Sequence, residues 1–359
     1  MVYGVVMAGG RGERFWPLSN EGRPKQLLAI TNDRSMLEVT IDRLRGFIPM
    51  ERMVIVTGKN IKEALLGRCP SVKEDNLLCE PTGRNTCLAI GLAAVHLQKR
   101  DPGGVMVVLS ADHLISPAEK LVTVIKAGTK IAAEQDKLIT IGIVPSRAET
   151  GYGYIELGEE EWEVDSVPVC TVRGFKEKPR PTIAQQYYYG RKHLWNSGMF
   201  IWSVESILAA FEKYMPEMYE QLREYGRHIG TAREDEACRR LYDDAESISI
   251  DVAILEQADN VLTLRGNFIW DDVGGWMSLQ RFRDMDSENN VVEGSAVLIN
   301  TYESTVYNEE AGLVAVLGVS DLVIVRSGEV VMVAHKTQLD RIKDLLARIE
   351  KDTSLRKYL

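Results

Sequence analysis

The sequence predicts an α/β fold: a Rossmann-like, mostly parallel mixed sheet followed by a small C-terminal β-domain. Three observations predict it. Apolar runs alternate with amphipathic helical stretches through the first half, and strands that are apolar throughout belong to a sheet covered on both faces. After about Arg283 the pattern changes to short Val-rich runs separated by Gly, Asn and Asp, as in an all-β unit. At 359 residues the chain is also too long for one ordinary core. The expected division is 1–285 and 286–359.

Taken in order, Tyr3–Ala8 reads as a buried strand. Ser35 and Glu38 form a capping-box pattern, and Leu37, Ile41, Leu44 and Ile48 follow at helical spacing. Met53–Val56 is a second strand and Asn60–Leu66 a short helix. A long helix over Asn85–Arg100 leads to the strand Val105–Leu109, and a helix over Lys120–Glu134 leads to the strand Leu138–Ile143. Gly151–Leu157 and Val172–Lys178 suit strands at a sheet margin, and Trp195–Trp202 is an apolar strand interrupted by Asn196-Ser197-Gly198. Pro216–Tyr225 and Arg233–Asp243 read as surface helices, and Val261–Leu264 as a further strand. In the tail, short strands fill Asn289–Ala334. A closing helix over Asp340–Glu350 puts Ile342, Leu345, Leu346 and Ile349 on one face.

Bulk properties exclude several classes. The net charge is −9 and no block of Lys and Arg forms a basic face, so a nucleic-acid partner is not expected. A local cationic loop can still hold a small anion. The five cysteines are scattered without a CxxC pair, which fits a reducing, cytoplasmic setting. The five histidines show no metal-ligand spacing. No apolar run approaches about 18 residues, and no basic-then-apolar leader opens the chain, so neither a membrane span nor a secretory signal is expected.

One stretch carries chemistry. VMAGGRGERFWPLSNEGRPKQLL, residues 6–28, follows the first strand and holds four glycines and four cationic side chains. Backbone N–H groups of such a loop can close around phosphate oxygens. It is not a dinucleotide fingerprint, because Phe15 stands where the third glycine of GxGxxG belongs. It is not a P-loop, because no glycine is followed by Lys-Ser/Thr at the required offset. Arg14 offers a planar fork and Lys25 a compact charge. Arg11 and Arg23, taken singly, read as solvated surface cations.

Other candidates lie at strand ends, where ligands bind in open α/β sheets. Asp112 follows the strand Val105–Leu109, and Asp272 is flanked by Gly274 and Gly275. Two such carboxylates suit one Mg²⁺, though Asp112 alone equally suits a turn or helix cap. Glu80 can accept the N1–H and exocyclic amine of guanine, while Asn85 suits a helix cap. Asn196 needs a polar partner inside its apolar strand, and a sugar hydroxyl would serve. Glu177 and Lys178 alternate along a strand and otherwise suit an exposed edge. His113 suits a hydrogen-bonded structural role, and Trp16, Trp270 and Trp276 suit packing beneath the loops.

The opening loop resembles the signature of the sugar-1-phosphate nucleotidylyltransferases. Its Phe15-Trp16-Pro17-Leu18-Ser19 and Pro24-Lys25-Gln26 are similar to the form in mannose-1-phosphate guanylyltransferases. Seven later segments match in order: 80–86, 110–113, 151–154, 175–179, 195–200, 249–251 and 270–276. The resemblance implies a nucleotide-diphospho-sugar transferase fold, with a tail of partial left-handed β-helix character that supports a homodimer. It implies the reaction GTP + α-D-mannose 1-phosphate → GDP-mannose + diphosphate. The GTP site it implies comprises Ala8, Gly9, Gly10, Gly12, Arg14, Lys25, Glu80, Arg84, Asn85 and Asp112. The mannose 1-phosphate site comprises Gly153, Glu177, Lys178 and Asn196. Arg14, Lys25, Asp112 and Asp272 would be catalytic, with Asp112 and Asp272 as Mg²⁺ ligands. Asp271 stands where the family commonly has Ser, so a second carboxylate adjoins the metal position. The alternatives are a related transferase for another sugar phosphate or base, and a non-catalytic nucleotide-sugar sensor. A fused isomerase domain is not expected, since the tail is short for a cupin and holds only His335.

Overall fold

A computed structural model of the chain describes residues 1–10, 12–31 and 33–359, so Arg11 lies outside the described residues. The first part of the chain carries strands β1 (Val2–Ala8), β2 (Met53–Gly58), β3 (Leu77–Glu80), β4 (Val105–Ser110), β5 (Leu114–Ser116), β6 (Leu138–Ile143), β7 (Tyr154–Val164), β8 (Val167–Lys176), β9 (His193–Ser203), β10 (Val261–Gly266) and β11 (Ile269–Asp271). Its helices are α1 (Met36–Arg45), α2 (Lys62–Arg68), α3 (Asn85–Arg100), α4 (Ala118–Glu134), α5 (Pro181–Gly190), α6 (Val204–Tyr214), α7 (Pro216–Gly226) and α8 (Glu234–Asp244).

Nine strands form one sheet in the order β3-β2-β1-β4-β9-β6-β10-β8-β7. The left side is parallel, as is the β6–β10 pair, but β9 enters antiparallel between β4 and β6. The sheet is therefore mixed around a parallel majority, as the sequence predicts. Successive residues of β1 face opposite ways. Tyr3 and Val5 pack with α3 and α6, whereas Val6 and Ala8 pack with Leu37 and Ile41 of α1 and Leu65 of α2. The Ser35 cap is present, with Glu38 answering the Ser35 backbone at 3.1 Å.

Several elements depart from the sequence expectation. α6 begins directly at the end of β9, with the Ser203 side chain accepting from the Ser206 N–H at 2.9 Å. No turn residue separates them, so one apolar run hides the change of period. β8 ends at Lys176, two residues earlier than expected. Glu177 and Lys178 thus lie beyond the strand, and Lys178 has φ +39°. The tight turn Asp251–Leu255, of π-helical type, carries no separate sequence signal.

The tail carries β12 (Val291–Glu293), β13 (Ala296–Tyr302), β14 (Thr305–Asn308), β15 (Val314–Ser320), β16 (Leu322–Ser327), β17 (Val330–His335) and α9 (Ile342–Lys351). β12, β14 and β16 stack in parallel, as do β13 and β15, so successive coils repeat one path. Val306, Val316 and Ile324 fill the coil. Val323 and Val325, alternating with Ile324, face the other way and pack with Phe15, Trp16 and Trp276 of the first part of the chain. Trp276 is 1% exposed, meets the Phe15 ring edge-on at 5.3 Å, and donates to the Trp16 carbonyl at 3.1 Å. Replacing Trp276 by Ala removes about 3–5 kcal/mol of packing. The expected result is a lowered calorimetric melting temperature together with loosened substrate binding. An unchanged melting temperature would show that the packing of Trp276 on Phe15 and Trp16 does not stabilise the fold.

Candidate functional site

The loop after β1 is held from below. Gln26 Nε2 and Thr57 Oγ1 both donate to the Ala8 carbonyl, at 2.7 and 3.0 Å, which fixes the strand end where Gly9 and Gly10 begin. Gly12 has φ +68°, and a Cβ there would lie 2.4 Å from Lys25 Cβ, so only glycine fits both the conformation and the space. That contact brings the two ends of the loop together. Arg14 is exposed and its Nη1 donates to the Gly274 carbonyl at 3.3 Å.

Lys25 is 8% exposed. Its Nζ donates to Asp112 Oδ2 at 2.6 Å and to the Asp272 backbone carbonyl at 2.8 Å. Burial works most strongly, to raise the Asp112 carboxyl, but the Lys25 ammonium, His113, the Lys25 hydrogen bond and a backbone hydrogen bond together outweigh it and hold it below its ordinary value. Asp272 Oδ1 accepts from the Tyr152 hydroxyl at 3.0 Å. Each aspartate thus gives one oxygen to a side-chain partner and keeps the other for a ligand. Both side chains are about a third exposed.

The neighbouring Asp271 has a different fate. It is buried and takes the Arg281 fork, with Nη2 at 2.6 Å from Oδ1 and Nε on Oδ2. It also accepts from the Val273 N–H at 2.8 Å. Of the two aspartates, Asp272 is therefore the one open to a cation. Among the described residues no group of three or more His, Cys, Asp or Glu could hold a metal by itself. A pair of partly exposed carboxylates nonetheless suits a hard divalent ion that draws its remaining ligands from phosphates and water.

Next to the loop lies a cavity of about 370 Å³, lined by Gly9, Gly10, Glu80, Gly83 and, from the tail, Lys343 and Leu346. Its size suits a nucleotide. Lys25, Asp112 and Asp272 are not among its walls, but Pro24 is, so the charged trio adjoins it. Glu80, at the end of β3, is 5% exposed, and its Oε1 accepts from the Tyr242 hydroxyl at 3.1 Å. Burial pushes the Glu80 carboxyl up to about 7, against the lowering effect of that hydrogen bond. Arg84 turns toward α8, donating to the carbonyls of Tyr242 at 2.8 Å and Asp243 at 3.4 Å. Asn85 Oδ1 accepts from the Thr86 N–H at 2.9 Å, but Asn85 is the first residue of α3, whose N-cap is Arg84 with no side-chain cap, so the capping role weighed from sequence is not the one it takes.

On the other side, the Gly153 carbonyl accepts from the Asn196 N–H at 2.8 Å, and a Cβ on Gly153 would lie 2.8 Å from Glu177 Oε2. Glu177 and Lys178 are exposed and paired with each other at 2.8 Å. Asn196, expected to need a polar partner inside its strand, has several within the fold. Its Nδ2 already donates to Asp251 Oδ1 at 2.7 Å, and its Oδ1 accepts from Gly198 N–H at 3.2 Å and Thr140 Oγ1 at 3.3 Å. Asp251 is the residue that sequence reasoning missed. Its motif, Ser249-Ile250-Asp251, was visible, but only the fold brings it to Asn196. Burial raises its carboxyl and Asn196 lowers it. Tyr152 joins the two sides, since it precedes Gly153 and reaches Asp272. His113 accepts from Trp270 Nε1 at 3.2 Å through Nδ1, the structural role expected of it.

Comparison with known proteins gives the class of protein that carries this fold. A family model described as Nucleotidyl transferase matches residues 3–289, and one described as MannoseP isomerase/GMP-like beta-helix domain matches residues 285–349. The chain belongs to the nucleotidyl transferase family. Among its relatives is the mannose-1-phosphate guanylyltransferase of Escherichia coli, 34% identical over 96% of this chain and 75% of that protein. The mannose-1-phosphate guanylyltransferase ManC of Salmonella typhimurium is also 34% identical, over 98% of this chain and 74% of its own length. The crystal structure of mannose-1-phosphate geranyltransferase from Thermus thermophilus is 33% identical, with a TM-score of 0.86, covering 97% of this chain and 99% of that one.

Ionising Glu80 costs more in the folded chain than in the unfolded one, where the ordinary value is 4.5. Its contribution to stability is therefore full below about 4.5 and is lost as the pH rises through about 7, a difference of about 3 kcal/mol. Glu80→Gln should flatten the stability profile across that window, read as urea midpoints at successive pH values. A wild-type slope retained in the variant would assign the effect to another group.

Proposed function

We propose that this protein is a mannose-1-phosphate guanylyltransferase, which converts GTP and α-D-mannose 1-phosphate to GDP-mannose and diphosphate. One observation carries the reading: Lys25, from the glycine loop, sits between Asp112 and the backbone of Asp272 at the cleft. The family and the names of its relatives support it. On this reading the catalytic unit is 1–285, the tail 286–359 supports it, and the setting is cytoplasmic. The five cysteines are all free, and no helix among the described residues is long and apolar enough to cross a membrane.

The sugar phosphate is itself the nucleophile. With a second pKa near ~6 it is largely dianionic at neutral pH, so no protein base is required. The protein's work is in-line positioning and charge neutralisation at the α-phosphorus. Gly9, Gly10 and Gly12 offer backbone donors to the triphosphate, and Arg14 and Lys25 balance its charge and that of the leaving diphosphate. Glu80 accepts the two donors on the guanine edge. Gly153, Glu177 and Lys178 receive mannose 1-phosphate, with Asn196 and Asp251 shaping the wall beside them. A divalent cation, Mg²⁺ on this reading, would be held by Asp112 and Asp272 and would neutralise phosphate charge.

A diphosphate-release assay of several nucleoside triphosphates against several sugar 1-phosphates tests the reading. GTP with mannose 1-phosphate should be the fastest pair. A faster different pair would reassign the substrate, and GDP-mannose binding without release from any pair would favour a sensor. Lys25→Ala should lower kcat by about 10²-fold or more, with a smaller change in KM for mannose 1-phosphate. Unchanged turnover would remove Lys25 from the mechanism.

A further inference from the structure

We propose that Tyr242 is a positioning residue that holds the Glu80 carboxylate as a double acceptor, and so sets the preference for guanine over adenine. The proposal rests on the reading that Glu80 faces the base. Tyr242 lies in the last turn of α8, in the helical region between β9 and β10, far in sequence from β3. It is fully buried, and its hydroxyl donates to Glu80 Oε1 at 3.1 Å. Its backbone is held independently, since the Tyr242 carbonyl accepts from Arg84 Nε at 2.8 Å. Arg84 and Glu80 flank the same Pro-Thr-Gly turn, so α8 braces both ends of the turn that walls the cavity.

The chemistry of the two purines makes this contact selective. Guanine presents two donors, N1–H and the exocyclic amine, which a carboxylate meets with two acceptor oxygens. Adenine presents one donor and one acceptor, which a neutral carboxylic acid meets. Because Tyr242 already donates to Oε1, a proton on Glu80 falls on Oε2. That oxygen lies beside Gly9, on the cavity side. Protonation would therefore turn a guanine-reading edge into an adenine-reading one.

The poise of Glu80 comes from burial first and from the Tyr242 hydrogen bond second, which together leave it at about 7. Among the described residues, the titratable side chains facing this end include Cys238 of α8, Glu13 and Glu21 of the first loop, and Lys343 and Glu350 of α9. Burial pushes the Cys238 thiol up to about 11, so it stays neutral at pH 7. Glu13 and Lys343 pair with each other at 3.8 Å. The hydroxyl of Tyr242 is the group on this wall that stabilises the ionised carboxylate by direct contact.

The test measures kcat/KM for GTP and ATP with mannose 1-phosphate, from about pH 6 to about pH 9, in wild type, Tyr242→Phe and Glu80→Gln. In the wild type, the GTP-over-ATP ratio should fall as the pH drops through about 7. Tyr242→Phe should move that fall to higher pH. It should also raise KM for GTP about tenfold at neutral pH, with kcat at saturating substrate nearly unchanged, the size expected for one hydrogen bond to a charged group. Glu80→Gln should lose most of the preference for GTP at every pH. If Glu80→Gln loses it while Tyr242→Phe keeps the wild-type profile, the role of Tyr242 is overturned and the base reading stands. If Glu80→Gln still prefers GTP, the base reading itself falls. Should Tyr242→Phe not fold, the wild-type profile decides, because a ratio independent of pH would overturn the proposal.

Discussion

One ammonium joins three stretches of chain that are distant in sequence. The Lys25 Nζ bonds the Asp112 carboxylate, past the end of β4, and the Asp272 backbone carbonyl, past β11. A nearly buried Lys is costly without partners, and here both partners are oxygens at the mouth of the sheet. The contact closes the glycine loop over the strand ends and keeps Asp112 ionised. It engages one Asp112 oxygen and none of the Asp272 carboxylate. The close approach of Gly12 to Lys25 follows from this closure.

The tail holds the same loop from the opposite side. Phe15 and Trp16, just past the glycines, are buried against Val323, Val325 and Met332 of the coiled strands and against Ile342 of α9. Ion pairs add to the seam, Arg23 with Glu309 at 2.6 Å and Arg283 with Glu293 at 2.9 Å. Partly exposed pairs of this kind contribute little energy but fix orientation. The apolar cluster supplies most of the adhesion. A loop rich in glycine would otherwise be mobile; here the residues that follow it are anchored in a second core.

The two halves of the cleft are linked by aromatic packing. Tyr152 packs edge-on against Trp195 at 5.2 Å and Trp270 at 5.0 Å while its hydroxyl reaches Asp272. The Arg147 guanidinium stands over the Trp195 ring at 5.0 Å and pairs with Glu149 at 2.8 Å. Tyr152 thus touches both the Gly153 side and Asp272. Tyr242 serves in the same way at the far end, tying the helical region to Glu80.

By itself the sequence determined the alternation of strand and helix, the α1 cap, the β-rich tail and the loop that is neither a dinucleotide grip nor a P-loop. These are local properties: periodicity, caps and glycine spacing depend on neighbours within a few residues. Lys25 stood out as a candidate through the Pro-Lys pair of the loop, and Asp112 and Asp272 through their places just past strands. The tertiary structure decided what long-range contacts decide. It placed β9 antiparallel in the middle of the sheet, since strand order depends on pairing that no single segment encodes. It assigned Asp271 to Arg281 and left Asp272 open, although the two are adjacent in sequence. It paired Asn196 with Asp251, 55 residues away, and Glu80 with Tyr242, 162 residues away. A buried polar side chain announces in sequence that it needs a partner; only the folded chain supplies which one.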